Sequence, residues 1–139
     1  MLVKRILIVE DDKMICSIFS MFIKELGHQM VGISPNGQDA IIKATESKPD
    51  IILMDIHLQG EINGIETARI INDALNIPVI YISSDIEEST LKEAILSNTY
   101  GFLVKPIYKT TLGITIEFAY FKHIYDQQNK MNAEPSDSE

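Results

Sequence analysis

The chain has a single cysteine, Cys16, among 139 residues, so no internal disulfide can form. Cations are also scarce: 12 Lys and Arg stand against 20 Asp and Glu. The resulting formal charge of −8 leaves no surplus to displace counterions from phosphates, which argues against nucleic-acid binding. No apolar segment approaches the roughly 18 residues that cross a bilayer, and no charged stretch with a following apolar run opens the chain. No Cys or His lies at ligand spacing for zinc, and His28 and His123 read as surface or partly buried residues. The expectation is a soluble, cytoplasmic protein that engages neither membrane nor nucleic acid. What is present suffices for one packed domain, since 45% of residues are hydrophobic. Cys16 falls within an apolar helical pattern and reads as a small core residue.

The stretch Asp50-Ile-Ile-Leu-Met-Asp55 organises the rest. Its four apolar residues run unbroken and stop at a carboxylate, which suits a strand buried on both faces. Val3 to Val9 reads as a first strand that ends the same way, in Glu10-Asp11-Asp12, with Asp12 placed as a helix N-cap. Met14, Ile15, Ile18, Phe22 and Leu26 then recur at helical spacing up to Gly27. His28 to Ser34 is a second strand, and Asn36 caps a helix to Ser47 with Ala40, Ile41 and Ala44 inward. A loop from His57 to Ile62 leads to a capping box, Asn63 with Glu66, and a helix to Leu75. Ile77 to Ile82 is a fourth strand, and Leu91, Ala94 and Ile95 mark the inner face of a fourth helix. Phe102 to Val104 is a short fifth strand ending at Lys105-Pro106, and the last helix spans Thr111 to Gln128. Strict alternation of strand and helix predicts an α/β domain: a parallel sheet with right-handed crossovers and helices on both faces. The division expected is a domain over residues 1–128 and an acidic, disordered tail over 129–139.

Parallel strands share one carboxyl edge, so Glu10-Asp11, Asp55, Ser83 and Lys105 can meet there. Carboxylates so placed repel one another unless a cation lies among them. Oxygen ligands without thiol or imidazole suit a hard ion such as Mg²⁺. A hydroxyl and an ammonium opposite suit phosphoryl oxygens, and the remaining carboxylate, Asp55, can attack phosphorus as a nucleophile.

These motifs, Ile-Leu-Ile-Val-Glu10-Asp11-Asp12, Leu-Met-Asp55-Ile, Ile-Ser83-Ser84 and Gly101-Phe-Leu-Val-Lys105-Pro106, resemble those of the receiver domain of the two-component response regulator family. The likeness covers about residues 2 to 128. It implies a flavodoxin-like, doubly wound (βα)5 fold with strand order 2-1-3-4-5, and a phosphorylation-dependent signalling switch. By resemblance, Asp55 is the phosphoacceptor, Asp11 a direct Mg²⁺ ligand and Glu10 one acting through water, while His57 lends its backbone carbonyl. Ser83 and Lys105 bind the phosphoryl group, Ser83 and Phe102 form the switch, and the Lys105-Pro106 peptide is cis. The implied donor is a sensor histidine kinase or histidine phosphotransfer protein. The implied target reads the face of the fourth helix, fifth strand and fifth helix. Such a domain assists its own phosphorylation and slow hydrolysis but is no enzyme with an external product. Departures from the family pattern are a longer loop after Asp55, His57 to Gly64, and Ser83 in place of the commoner Thr. In the family, the positions of His57 and Asp85 tune dephosphorylation.

Three other readings compete. An aspartate-nucleophile phosphatase needs a general acid two residues after its nucleophile, where this chain has His57, and usually a cap domain. A docking-only receiver is expected to have lost Asp55, Asp11 or Lys105, and all three are present. A receiver cut from a larger hybrid sensor kinase is the third. The last helix carries two apolar stripes: Leu112, Ile116, Ala119 and Ile124, then Ile114, Phe118, Phe121 and Tyr125. One stripe covers the sheet, and the other predicts packing against another helix, in a homodimer or a following domain.

Overall fold

A computed structural model describes residues 2–133. Five strands alternate with five helices: β1 Arg5–Val9, α1 Lys13–Glu25, β2 Gln29–Ser34, α2 Gly37–Ser47, β3 Ile51–Asp55, α3 Gly64–Leu75, β4 Val79–Ser83, α4 Glu88–Leu96, β5 Gly101–Val104 and α5 Lys109–Ala133. The strands form one parallel sheet in the order β2-β1-β3-β4-β5. Alternate residues of each strand feed opposite faces, as the pleat requires. Leu7, Val9, Ile52, Met54 and Tyr81 pack with Ala40, Ala44, Ile65, Ala68, Ile71 and Ala94 of α2, α3 and α4. Ile6, Ile8, Ile51, Leu53, Ile80 and Ile82 pack with Cys16, Phe19 and Ile23 of α1 and Leu112, Ile116 and Ala119 of α5. Each Leu, Ile, Val, Met or Phe side chain among these, removed from water, contributes about 1.5–3 kcal/mol.

Register aligns the carboxyl ends. Val9 pairs with Ser34 and Met54, Asp55 with Ile82, and Ser83 with Val104. Local caps set where the helices begin. Asp12 accepts from the amides of Met14 and Ile15, Asn36 from that of Asp39, and Asn63 and Glu66 close a reciprocal capping box.

Several expectations are corrected. β1 begins at Arg5, where its pairing with β2 starts, rather than at Val3, which is exposed. The buried face of α1 is Cys16, Phe19 and Ile23; of the expected periodic set Ile15, Phe22 and Leu26 pack partly buried against it, while Met14 and Ile18 face water. In α4 the inward residues are Thr90 and Ala94, followed by Ser97, and Ile95 is 70% exposed. The small Ser97 is needed there because its hydroxyl meets Tyr81 Oη at 2.5 Å. Helix α5 starts at Lys109 and continues to Ala133, so residues 129–133 are helical and not part of a tail. Nothing in Gln127 to Ala133 breaks a helix, and the first such residue in sequence is Pro135. The remainder of the expected tail, residues 134–139, lies outside the described residues.

At the amino-terminal edge of the sheet lies a buried charged cluster. Lys4 is 1% exposed, and its Nζ donates to Glu117 Oε1 at 2.7 Å while lying 5.0 Å and 5.2 Å from the Tyr120 and Phe121 ring centroids. His28, also buried, accepts the Lys4 backbone N–H at Nδ1 and directs Nε2 to within 3.2 Å of Glu117 Oε2. Burial holds the His28 imidazole below its ordinary pKa, against the pull of Glu117.

Candidate functional site

Every strand that borders the central cleft ends in a chemically active residue. Beyond β1, the Glu10 amide bonds the Ser34 carbonyl (2.9 Å), which directs the chain into Asp11 and the α1 cap. β3 ends on Asp55 itself. β4 ends on Ser83, whose carbonyl accepts the Lys105 amide at 2.8 Å, so the last turn of β5 is tied to it. Carboxylate oxygens of Glu10, Asp11 and Asp55 all lie within 4.8 Å of one another. Glu10 and Asp55 are buried and Asp11 is open to solvent. The Lys105 ammonium reaches the pair, 3.1 Å from Glu10 Oε1 and 3.8 Å from Asp55 Oδ2. The Lys105-Pro106 peptide is cis.

One ammonium faces three carboxylates. Burial pushes the Glu10 carboxyl above its ordinary range, and the Asp55 charge pushes the same way, against the Asp12 amide and Lys105. A divalent cation would relieve that repulsion. All three side chains offer hard oxygen, and the exposed Asp11 side leaves a path to water, so the donor set fits Mg²⁺ better than a softer ion. Beneath the cleft, Cys16 Sγ contacts the Glu10 carbonyl oxygen at 3.5 Å, and burial raises its thiol pKa, so it stays protonated and inert.

The other expected residues fall around this centre in different ways. His57 donates its backbone N–H to Asp55 Oδ1 at 3.1 Å, while its ring turns away, with Nε2 3.5 Å from Asp85 Oδ2. Ser83 is buried, and its hydroxyl donates to the Asp85 carbonyl and accepts the Asp85 amide, at 3.1 and 2.9 Å. Phe102 is half-buried against the core on the α2–α4 side. The loop after Asp55 is held by Gly64, whose amide bonds the Ile56 carbonyl at 2.9 Å. A Cβ there would lie 2.1 Å from the Asp55 carbonyl oxygen, so the loop can close over the strand end only with glycine.

Thr90 went unnoticed in the sequence. Its hydroxyl donates to Asp85 Oδ2 at 2.9 Å, and the Glu87 amide donates to Asp85 Oδ1 at 2.7 Å. Those bonds, the Glu87 amide first, hold the Asp85 carboxyl below its ordinary range. The signal was a hydroxyl five residues after an aspartate at a helix entry, too common to stand out.

The sequence matches the response regulator receiver domain family over residues 6–117. The chain belongs to that family. It is 35% identical over 104 residues to the chemotaxis protein CheY of Thermotoga maritima, covering 74% of this chain and 86% of that protein. It is 32% identical over 118 residues to the response regulator protein VraR of Staphylococcus saprophyticus, covering 84% of this chain. There the receiver spans only 56% of the relative's length. Among solved structures, it superposes on the signal receiver domain of a modulated diguanylate cyclase from Desulfovibrio desulfuricans G20. The TM-score is 0.85 and the identity 34%, over 90% of this chain and 99% of that one. The receiver is thus a signalling phosphoacceptor domain of two-component systems, and its flavodoxin-like (βα)5 order is the one expected. Among the described residues, no helix is long and apolar enough to cross a membrane.

Proposed function

We propose that the receiver accepts a phosphoryl group on Asp55 from a phosphohistidine of a sensor histidine kinase or phosphotransfer protein, in the cytoplasm. The observation that carries this reading is the convergence of Glu10, Asp11 and Asp55 with the Lys105 ammonium at one sheet edge. An oxygen of Asp55 attacks phosphorus as the phosphorus–nitrogen bond of the donor breaks, and the imidazole leaves with the bonding pair. The His57 amide, already on Asp55 Oδ1, orients the carboxylate so that Oδ1 is fixed and Oδ2 keeps only the 3.8 Å contact with Lys105. Lys105 then pairs with a phosphoryl oxygen in exchange for the weaker of its two carboxylate contacts, the 3.8 Å one. Glu10 and Asp11, with Asp55 and the His57 carbonyl, would hold Mg²⁺, which supplies neutralisation of the phosphoryl charge when bound.

The switch follows from Ser83. Its hydroxyl is committed to the backbone of Asp85, and bonding a phosphoryl oxygen requires it to let go. That release loosens the β4–α4 connection, where Asp85 also holds the Glu87 amide and Thr90. Phe102, half-buried next door on β5, follows, and the α4–β5–α5 face changes its affinity for a downstream protein. The domain promotes its own phosphorylation and slow hydrolysis and releases no other product.

The test is the intact mass after incubation with Mg²⁺ and acetyl phosphate, beside an Asp55→Asn control. A phosphoryl adduct on the parent only, lost on chelation of the metal, is expected. No adduct on the parent from either acetyl phosphate or a phosphorylated histidine kinase would sink the phosphoacceptor reading and leave a docking-only receiver.

A further inference from the structure

The α5 helix leaves a second apolar stripe in water. Ile114, Phe118, Phe121 and Tyr125 are 66%, 65%, 56% and 58% exposed, whereas Leu112, Ile116 and Ala119 on the other side are fully buried against the sheet. Steps of four, three and four residues place the exposed four along one line of the helix, the 3.5-residue spacing of a two-helix seam. An open groove of about 880 Å³ runs beside the seam, walled by Leu26 and His28 of the α1–β2 turn. Seam and groove together form a ridge and a hollow side by side, the shape that a symmetric copy can complement.

We propose that this face receives α5 of a second copy of the chain, the two helices running parallel. Charge selects both the partner and the direction. With Phe118 and Tyr125 as one set of core positions and Ile114 and Phe121 as the other, Glu117 and Lys122 lie on opposite flanks of the seam, five residues apart. In a parallel pair, each Glu117 flank faces the partner's Lys122 flank, twice by symmetry. An antiparallel pair sets each flank against its own kind and makes neither ion pair. Glu117 keeps 32% of its side chain exposed, and Lys122 49%, so both reach the interface. Because Lys4 and His28 already hold the Glu117 carboxylate and Asp126 holds the Lys122 ammonium at 3.1 Å, the crossed pairs set direction more than affinity.

Area sets the strength. The exposed parts of the four side chains come to roughly 450 Å² per copy, taking about 150–250 Å² for each large side chain. A stable interface hides about 800 Å² per partner. Leu26, the groove wall and the Lys122 stem bring the total to the low end of that class, so the dimer is weak and depends on concentration. The interface is separate from Asp55, and it stands or falls independently of the phosphoacceptor reading.

Sedimentation of the full chain from about 1 μM to about 1 mM tests it directly. The parent passes from monomer to dimer across this range, the Phe118→Ser/Phe121→Ser variant stays monomeric, and Lys122→Gln weakens the dimer about threefold. A parent that remains monomeric throughout overturns the proposal. Direction is read from Gln128→Cys, one step further along the seam and clear of its apolar residues. Cys16 is buried, so this thiol reports alone. A parallel pair sets residue 128 beside its own copy and an oxidised dimer forms. An antiparallel pair sets it opposite residue 111 of the other copy, and a dimer without that cross-link overturns the parallel arrangement. These two measurements decide the matter even if the double Ser variant fails to fold.

Discussion

Removing the Glu117 carboxylate should destabilise the receiver far more than removing the Lys4 ammonium that it holds. Lys4 is 1% exposed and lies 2.7 Å from Glu117 Oε1. In Glu117→Gln that ammonium stays buried with only the amide oxygen and two aromatic faces for partners. Loss of one partner of a buried pair costs about 3–5 kcal/mol, with burial of both ions assumed. Here the carboxylate side is one-third exposed and the Tyr120 and Phe121 rings retain part of the cation's stabilisation, so about 2 kcal/mol is the working figure. Lys4→Met, in contrast, fills the same space with an apolar chain and leaves Glu117 facing water and His28, at a cost of about 0–1 kcal/mol. The signature is therefore a rescue: Lys4→Met/Glu117→Gln should be more stable than Glu117→Gln alone.

Urea unfolding followed by circular dichroism measures this. With m about 2 kcal/mol/M, a loss of about 2 kcal/mol lowers the midpoint by about 1 M. The measurement belongs near 1 μM, where the α5 pair proposed above contributes little. Equal costs for the two single variants, or strictly additive costs in the double, would refute the reasoning.

Three further outcomes follow from the same geometry. Asp55→Asn removes one of three crowded carboxylates, and should raise stability without metal by about 1 kcal/mol at neutral pH; Mg²⁺ should then raise the parent's unfolding midpoint and barely move the variant's. Gly64→Ala forces a Cβ to within 2.1 Å of the Asp55 carbonyl oxygen, so it should cost about 3 kcal/mol in urea unfolding and cut the yield of the phosphoryl adduct. His28 and His123 are both held by burial below their ordinary pKa, so the unfolded chain binds more protons than the folded one as pH falls. Their contribution is complete above the unfolded value near 6.5 and is lost as pH drops from there toward the folded values, and His28→Gln should flatten the slope of stability against pH in that window.

The carboxyl edge was legible because its signals are local. An apolar strand that stops at a carboxylate, as at Ile51 to Asp55, carries both its burial and its terminus in five consecutive letters. Once the strands are parallel, register brings Glu10, Asp55, Ser83 and Lys105 to one edge with no further information. The outer stripe of α5 was legible for a related reason, since a helix with two apolar faces can bury only one on a sheet. Helix faces were harder where apolar residues surround the helix. Met14, Ile18 and Ile95 match a helical period as well as Phe19 or Ala94 do, and only the sheet chooses between them. The Lys4–Glu117 pair had no signal at all. A lysine within the expected strand Val3 to Val9 gives no hint of its partner, which lies 113 residues on.

The two charged clusters of this domain use similar groups for opposite ends, and the difference is charge balance. At the amino-terminal edge, Lys4 meets one carboxylate, and His28, kept neutral by burial, completes the set. Nothing there calls for a ligand. At the carboxyl edge, Lys105 meets Glu10 and Asp55 with Asp11 close by, leaving negative charge that neither the strand ends nor the Asp12 amide neutralises. Such an excess costs stability, and under the function proposed above it is the charge that a cation and a phosphoryl group would meet in turn. Helix α5 runs alongside both regions: Glu117 anchors it at the closed cluster, and Leu112 and Ile116 pack it behind the sheet that carries Asp55. The outer seam of that helix is therefore held at the closed cluster, while Ser83 and Phe102, proposed above as the switch, lie toward the other end. Self-association through α5 should then change little on phosphorylation, whereas binding at the α4–β5–α5 face should change much. Sedimentation with and without acetyl phosphate distinguishes the two: a phosphorylation-dependent shift of more than about tenfold in the dimer constant would contradict this separation.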